Sequence, residues 1–256
     1  MSNYTGIKIL EIDIETSPNL GWFWDSQLYH GGMTIEQIEE PTRMLCFAAR
    51  WQHKNITIFR SEYHDGREEM LEELWYLLDE ADVVIHYYGS RFDVPHINRE
   101  FIKHGYLPPS PYDQIDLKNV AKKHFRFPSN KLNWVGQYLG VGEKVLHEGF
   151  LLWKKCLEGD PKAWSTMKKY NIQDTKLLRD VYYFLLPWIT NHPNRGLWMK
   201  PGTDPICPNC GSTDLRFKGY KRTRVLQYKQ YNCRSCGAYP RERYASDPKK
   251  REDILR

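Results

Sequence analysis

Along the first sixty residues, apolar and polar positions alternate with the short period of extended chain. In IKILEIDI, residues 7–14, Leu10, Ile12 and Ile14 alternate with Glu11 and Asp13, and Glu15 continues the series. A period of two predicts a strand with aliphatic side chains on one face and acids on the other. RMLCFAARW at 43–51 and KNITIFR at 54–60 predict two further strands joined by a tight turn. From about 65 to 79 the period lengthens. Met70, Leu71, Leu74, Leu77 and Leu78 recur at helical spacing. The short apolar run VVIHY at 83–87 predicts a buried strand, 94–104 a helix, and about 112–115 a brief strand. A mostly helical region then extends to about 186. Three adjacent strands followed by alternating helix and strand predict an α/β fold, with a mixed sheet and flanking helices.

The pattern fades after residue 186. Pro187, Pro193, Pro201 and Pro205, with Asn and Gly between them, mark a connection. The expected division is 1–190 for the α/β domain, 191–205 for a linker, 206–245 for a small second domain, and 246–256 for a flexible tail. Cysteine usage changes at the same place. Cys46 and Cys156 stand alone in apolar surroundings and read as core residues. Cys207-Pro-Asn-Cys210 and Cys233-Arg-Ser-Cys236, 22 residues apart, are two metal knuckles. Four thiolates complete a tetrahedral Zn²⁺ shell and leave no open position, so this zinc is structural and the second domain a zinc ribbon.

Charge divides likewise. Residues 201–256 carry 13 Lys/Arg against 6 Asp/Glu, and residues 1–200 carry 24 against 26. A basic tail on a near-neutral body points to a polyanionic partner. Within residues 216–234 there are seven Lys/Arg and no acid, with Phe217, Tyr220, Tyr228 and Tyr231 interspersed. Basic side chains such as Lys221, Arg222 and Arg224 neutralise phosphates, and aromatic faces stack on unpaired bases. The plainer reading is a solvated hairpin whose aromatics cover a very small core. No apolar run approaches the roughly 18 residues of a membrane span. The N-terminus also lacks the pattern of a signal peptide, so a cytoplasmic location is expected.

The acids of residues 11–15 carry the chemistry. Like charges on one strand face repel, and hard divalent cations are the usual remedy, since Mg²⁺ and Mn²⁺ prefer carboxylate oxygens. Asp93 follows the strand at 83–87, where Gly89 and Ser90 turn the chain. Tyr170 and Asp174 lie four apart on a helix and share a face. Two ions about 4 Å apart stabilise the attacking and leaving oxygens of a phosphoryl displacement.

The segments DIET (13–16), FDVP (92–95) and YNIQD (170–174) resemble the three exonuclease motifs of the DEDD superfamily, in the branch with tyrosine in the third motif. FPSNKLNWVGQYLG and GEKVLHEG, between the second and third motifs, resemble exonuclease-like proteins of tailed phages, some of which also carry a ribbon. The resemblance spans about residues 7–186. It implies a ribonuclease H-like fold and 3′–5′ exonuclease activity on DNA in replication and recombination, in the host cytoplasm if the chain is phage-encoded. It also implies that Asp13, Glu15, Asp93 and Asp174 hold two Mg²⁺ or Mn²⁺ ions with Asp13 bridging, and that Tyr170 positions the attacking water. The chain departs from many relatives in carrying Tyr87 and Tyr88 where an Asn stands in them.

Each residue alone has a plainer reading. Asp93 before Val-Pro caps helices, a lone tyrosine usually packs, and Glu11 is expected on a solvated edge. His86 reads as a core histidine. Trp22 and Trp24, with Phe23, are candidates for stacking on bases, although core packing is at least as common. Lys131 and Lys144 are candidates for phosphate contacts, and His147 for a place near the scissile bond. Two alternatives stay open: an endonuclease or ribonuclease on the same fold, and a catalytically silent nucleic-acid-binding adaptor.

Overall fold

A computed structural model describes residues 6–24, 34–202 and 204–246. The tail, apart from Ser246, and the end of the aromatic segment after Trp24 lie outside these residues. The main sheet has five strands: β1 (Ile9–Thr16), β4 (Met44–Trp51), β5 (Thr57–Ser61), β6 (Val83–His86) and β7 (Asp113–Asp116). Their order is β5-β4-β1-β6-β7. β4 pairs antiparallel with β1 and β5, while β6 runs parallel to both β1 and β7. Two short strands, β2 (Leu20–Gly21) and β3 (Ile38–Glu40), form a separate antiparallel pair.

Helices cover both faces. Leu10, Ile12 and Ile14 pack with Met44, Phe47, Ala49 and Trp51 beneath α1 (Arg67–Glu80) and α2 (Asp93–Lys103). On the opposite face, Leu45, Cys46, Ala48 and Phe59 pack against α5 (Phe150–Leu157) and α6 (Pro161–Leu185) through Leu152, Cys156, Trp164, Met167 and Tyr170. The register places Asp13 beside Ala48 and Glu15 beside Cys46. The acidic face of β1 is therefore the one that α5 and α6 cover. Between β7 and α5 run α3 (Leu117–His124) and α4 (Leu132–Leu139). Gly136 lets α4 approach α6 closely, since a Cβ there would lie 2.6 Å from Leu177 Cδ1.

This arrangement corrects one expectation. Glu11 is not on a solvated edge: β1 is the central strand, and Glu11 is completely buried. Gln52 Nε2 donates to its Oε1 at 3.3 Å, and burial pushes its carboxyl up to about 7. Alternation reports which residues share a face, but not that helices cover both faces.

The chain forms two compact units. One comprises Lys8–Asn119 with Phe127–Val181; the other comprises the described parts of Met1–Ile7, Val120–Arg126 and Tyr182–Arg256. The second unit contains the antiparallel hairpin of β8 (Leu215–Arg222) and β9 (Gln227–Cys233). Within this unit, Asn209 Nδ2 donates to the Leu186 and Ile189 carbonyls at 2.9 and 3.3 Å. Arg195 Nε donates to the Asn209 carbonyl at 2.8 Å, so residues 186–195 pack with the first knuckle. Among the described residues, no helix is long and apolar enough to cross a membrane.

Candidate metal centre

Three elements deliver the acids. β6 ends at His86, so the parallel pairing with β1 stops at Glu11 and the Asp13–Glu15 half of β1 continues beyond it. The chain then turns and enters α2 at Asp93. That turn is strained, with Tyr88 in the left-handed region at φ 74°. Asp116, at the end of β7, fixes it: Oδ1 accepts the Tyr88 N–H at 3.0 Å and Oδ2 accepts the Ser90 hydroxyl at 2.6 Å. His86 is a satisfied core histidine, accepting the Gly89 N–H at Nδ1 (3.0 Å) and bonding Gln114 at 3.0 Å through Nε2. α6 supplies Tyr170, Asn171 and Asp174 from adjacent turns of one face.

Asp13, Glu15 and Asp174 each place a carboxylate oxygen within 4.8 Å of the others. Asp93 stands beside this triad, and its Oδ1 accepts the Ile14 N–H at 3.2 Å. Its charge reaches Asp13 and Glu15. Lys144 Nζ donates to Asp174 Oδ2 and, at 2.9 Å, to the Tyr170 hydroxyl. Asp174 Oδ1 is buried without a hydrogen-bond partner. Asn171, fully buried, donates to the Asp13 carbonyl at 3.1 Å and to Asp13 Oδ2 at 2.7 Å. The Trp153 side chain hydrogen-bonds Glu15. His147 and Trp153 place their rings edge-on to Tyr170, with centroids 4.8 and 5.9 Å away.

The electrostatics follow from crowding. Burial, reinforced by Asp174, Glu15 and Asp93, pushes Asp13 well above the usual carboxylate range. Burial and Asp174 push Glu15 up to about 8. Burial pushes Asp93 up to about 7 against the pull of the Ile14 N–H. Asp174 is raised by burial, with Lys144 opposing. Tyr170 is raised by burial and then by Glu15 and Asp174, so its hydroxyl stays protonated. Burial disfavours the Lys144 ammonium, yet Asp174 and its neighbours hold it charged. Acids that resist ionising together, with one buried oxygen unpaired, fit a site for divalent cations.

The cysteine cluster fits zinc. Cys207 Sγ and Cys236 Sγ are 3.6 Å apart, as are Cys210 Sγ and Cys233 Sγ. Zn–S bonds of about 2.3 Å at tetrahedral angles put sulfurs roughly 3.8 Å apart, far beyond a disulfide bond. The two knuckles have the same build. Gly211 and Gly237 take φ near 80° and donate to the carbonyls of Cys207 and Cys233, both at 2.8 Å.

The remaining sequence candidates are dispersed. Lys144 and His147 join the acids. Lys131 is exposed at the start of α4. Trp22 and Trp24 are exposed rather than packed in the core, Trp24 entirely so. Lys221, Arg222 and Arg224 are exposed around the β8–β9 turn. Asn171, Trp153 and Asp116 were not identifiable in advance as site residues, although Asn171 lies inside YNIQD.

A family model described as the RNase_H superfamily matches residues 36–186, more than half of the chain. No curated protein matches. Among solved structures, the family B DNA polymerase from the hyperthermophilic archaeon Pyrobaculum calidifontis superposes with a TM-score of 0.53 at 12% identity. The superposition covers 84% of this chain but 32% of the polymerase, so the likeness is one of fold over about a third of that protein.

Proposed function

Since the chain belongs to the RNase_H superfamily, we propose that it is a metal-dependent nuclease that removes mononucleotides from the 3′ end of DNA. The observation that carries this reading is the convergence of Asp13, Glu15 and Asp174 within 4.8 Å, with the Tyr170 hydroxyl beside Asp174. Asp93 adds a fourth acid beside the triad, its Oδ1 bonded to the Ile14 N–H. The three DEDD-like motifs, all found at this point, support the 3′–5′ direction. The DNA polymerase likeness supports DNA over RNA.

In this reading Asp13, Glu15, Asp93 and Asp174 would hold two Mg²⁺ or Mn²⁺ ions, whose Lewis acidity would make water a better nucleophile and stabilise the leaving 3′-oxygen. Asn171 Nδ2 donates to both the carboxylate and the backbone carbonyl of Asp13, which orients that carboxylate. Trp153 hydrogen-bonds the Glu15 carboxylate and orients it in turn. Tyr170 remains a neutral hydroxyl at working pH, so it orients the attacking water by hydrogen bonding rather than removing its proton. The exposed Trp22 and Trp24 offer faces to unpaired terminal bases. The ribbon, with its zinc, contributes phosphate contacts through Lys221, Arg222 and Arg224.

The test is a metal titration on paired variants. EDTA abolishes cleavage and Mg²⁺ or Mn²⁺ restores it. Asp174→Ala lowers kcat by several orders of magnitude, whereas Tyr170→Phe still binds Mn²⁺ and loses less, on the order of 10²-fold. Near-normal turnover by Asp174→Ala would refute the reading.

A further inference from the structure

The Lys144 ammonium and a divalent cation claim the same carboxylate. Nζ donates to Asp174 Oδ2 and to the Tyr170 hydroxyl, and lies 4.9 Å from the Tyr170 ring centroid. Asp174 is also the carboxylate that comes within 4.8 Å of Asp13 and Glu15, and its other oxygen, Oδ1, is buried without a hydrogen-bond partner. An ion bridging these acids sits about 2.1 Å from each oxygen it uses, and brings two positive charges against the lysine in a low-dielectric setting. The two cations repel there, and one of them moves.

Lys144 is carried by a segment without regular secondary structure, the stretch 141–149. Glycines in the left-handed half of backbone space flank it: Gly140 at φ 69°, Gly142 at φ 147° and Gly149 at φ 64°. Around Lys144, the stretch is held by backbone bonds, by Gln137 Nε2 on Glu143 at 3.2 Å, by Val145 against the core and by the His147 ring on Tyr170. Asn133 Oδ1 accepts the Lys144 N–H at 2.7 Å, and Gln173 Nε2 donates to the Glu143 carbonyl at 3.3 Å. Leu146, two residues on, is almost fully exposed. The Asn133 bond holds the backbone at Lys144 and leaves the side chain as the part that reaches the acids.

We propose that Lys144 is an internal counter-ion of the acidic centre, bound to Asp174 and Tyr170 until a divalent cation displaces it. The exchange frees the ammonium, and the Tyr170 hydroxyl with it, as the metal arrives. Metal loading and the release of a water-orienting hydroxyl thus become one event. Lys144 is a positioning residue in this scheme. The inference rests on the metal-centre reading given above.

The experiment is lysine footprinting of the full-length protein. An amine-acetylating reagent is applied with and without Mn²⁺, modification of each lysine is read by mass spectrometry, and Mn²⁺ binding is measured in parallel by calorimetry. Lys144 is expected to react slowly without Mn²⁺ and at least about fivefold faster with it, while exposed Lys131 stays constant. Lys144→Gln should bind Mn²⁺ about tenfold more tightly, because the competing state is gone, and Lys144→Arg should not. Mn²⁺ binding with Lys144 still protected, or equal affinity in Lys144→Gln, overturns the exchange and leaves the metal centre standing. If neither wild type nor Lys144→Gln binds Mn²⁺, both readings fall together.

Discussion

At the scale of single residues, the four acids are in conflict with one another. Glu15 is pushed from 4.5 up to about 8 and Asp93 from 3.8 up to about 7, in each case first by burial. The folded protein therefore keeps protons that the unfolded chain releases above about pH 4. Stability from these groups is complete below about pH 4 and is lost as pH rises from there to the folded values near 7 and 8, by roughly 1.4 kcal/mol per pH unit for each group. Divalent cations bound as proposed would remove this slope. Asp13→Asn should abolish cleavage and yet raise the Tm of the protein without divalent cations at pH 8, with the gain shrinking toward pH 5. Thermal melts across pH check this, and a lower Tm for Asp13→Asn at pH 8 would contradict it. Residues of this kind were legible to different degrees. Asp13, Glu15 and Asp174 sit in patterns, an alternation and a helical spacing. Asn171 and Trp153 are a single amide and a single indole, whose importance comes from the partner they touch. Lys144 was identifiable as a candidate cation, but its partner was not, since a loop has no period from which to infer direction.

At the scale of elements, the site depends on where strands stop. β6 ends early, β1 runs on, and α6 crosses the acidic face with Tyr170, Asn171 and Asp174. Existence and type of these elements followed from hydrophobic period. Strand order did not, because central and edge strands both alternate, and only the central place of β1 buries Glu11. The hairpin β8–β9 has a small core, little more than Cys207, Cys233 and Ala238 with Cys210, Leu215 and Cys236. A core of this size usually needs a structural metal or other cross-link. Purified protein should contain one tightly bound zinc per chain, and Cys233→Ser should lose it. In that variant amide protection should vanish in β8 and β9 and persist in β1 and β4. Retained zinc, or a still-protected hairpin, would remove the ribbon's dependence on metal.

At the scale of the whole molecule, charge is unevenly distributed. Asp13 and Glu15 of β1 gather with Asp93 of α2 and Asp174 of α6, while residues 201–256 carry 13 Lys/Arg against 6 acids. Phe217, Tyr220, Tyr239 and Tyr244 are exposed there among the cations, with Arg241 3.8 Å over the Tyr228 ring. Neutralising Lys221, Arg222 and Arg224 together should weaken DNA binding and reduce the slope of log K against log salt by about 2–3, as fewer counterions are released. An unchanged slope would make the ribbon a partner-binding or fold-stabilising module and leave the catalytic proposal untouched. Cysteine spacing, proline clustering and charge predict a second part after residue 190, whereas one compact unit runs from Tyr182 and also takes in Val120–Arg126. The packing of residues 186–195 with the first knuckle was not legible, because it rests on hydrogen bonds from Asn209 and Arg195 that no periodicity announces.

The most direct test of the account is digestion of a single-stranded DNA labelled at its 5′ end, with Mg²⁺, compared with the same DNA labelled at its 3′ end. The account predicts a ladder from the 5′-labelled strand that shortens one nucleotide at a time. It predicts immediate release of labelled mononucleotide from the 3′-labelled strand, with both signals lost in Asp13→Asn and in EDTA. Discrete internal fragments, or release of label from the 5′ end first, would contradict it.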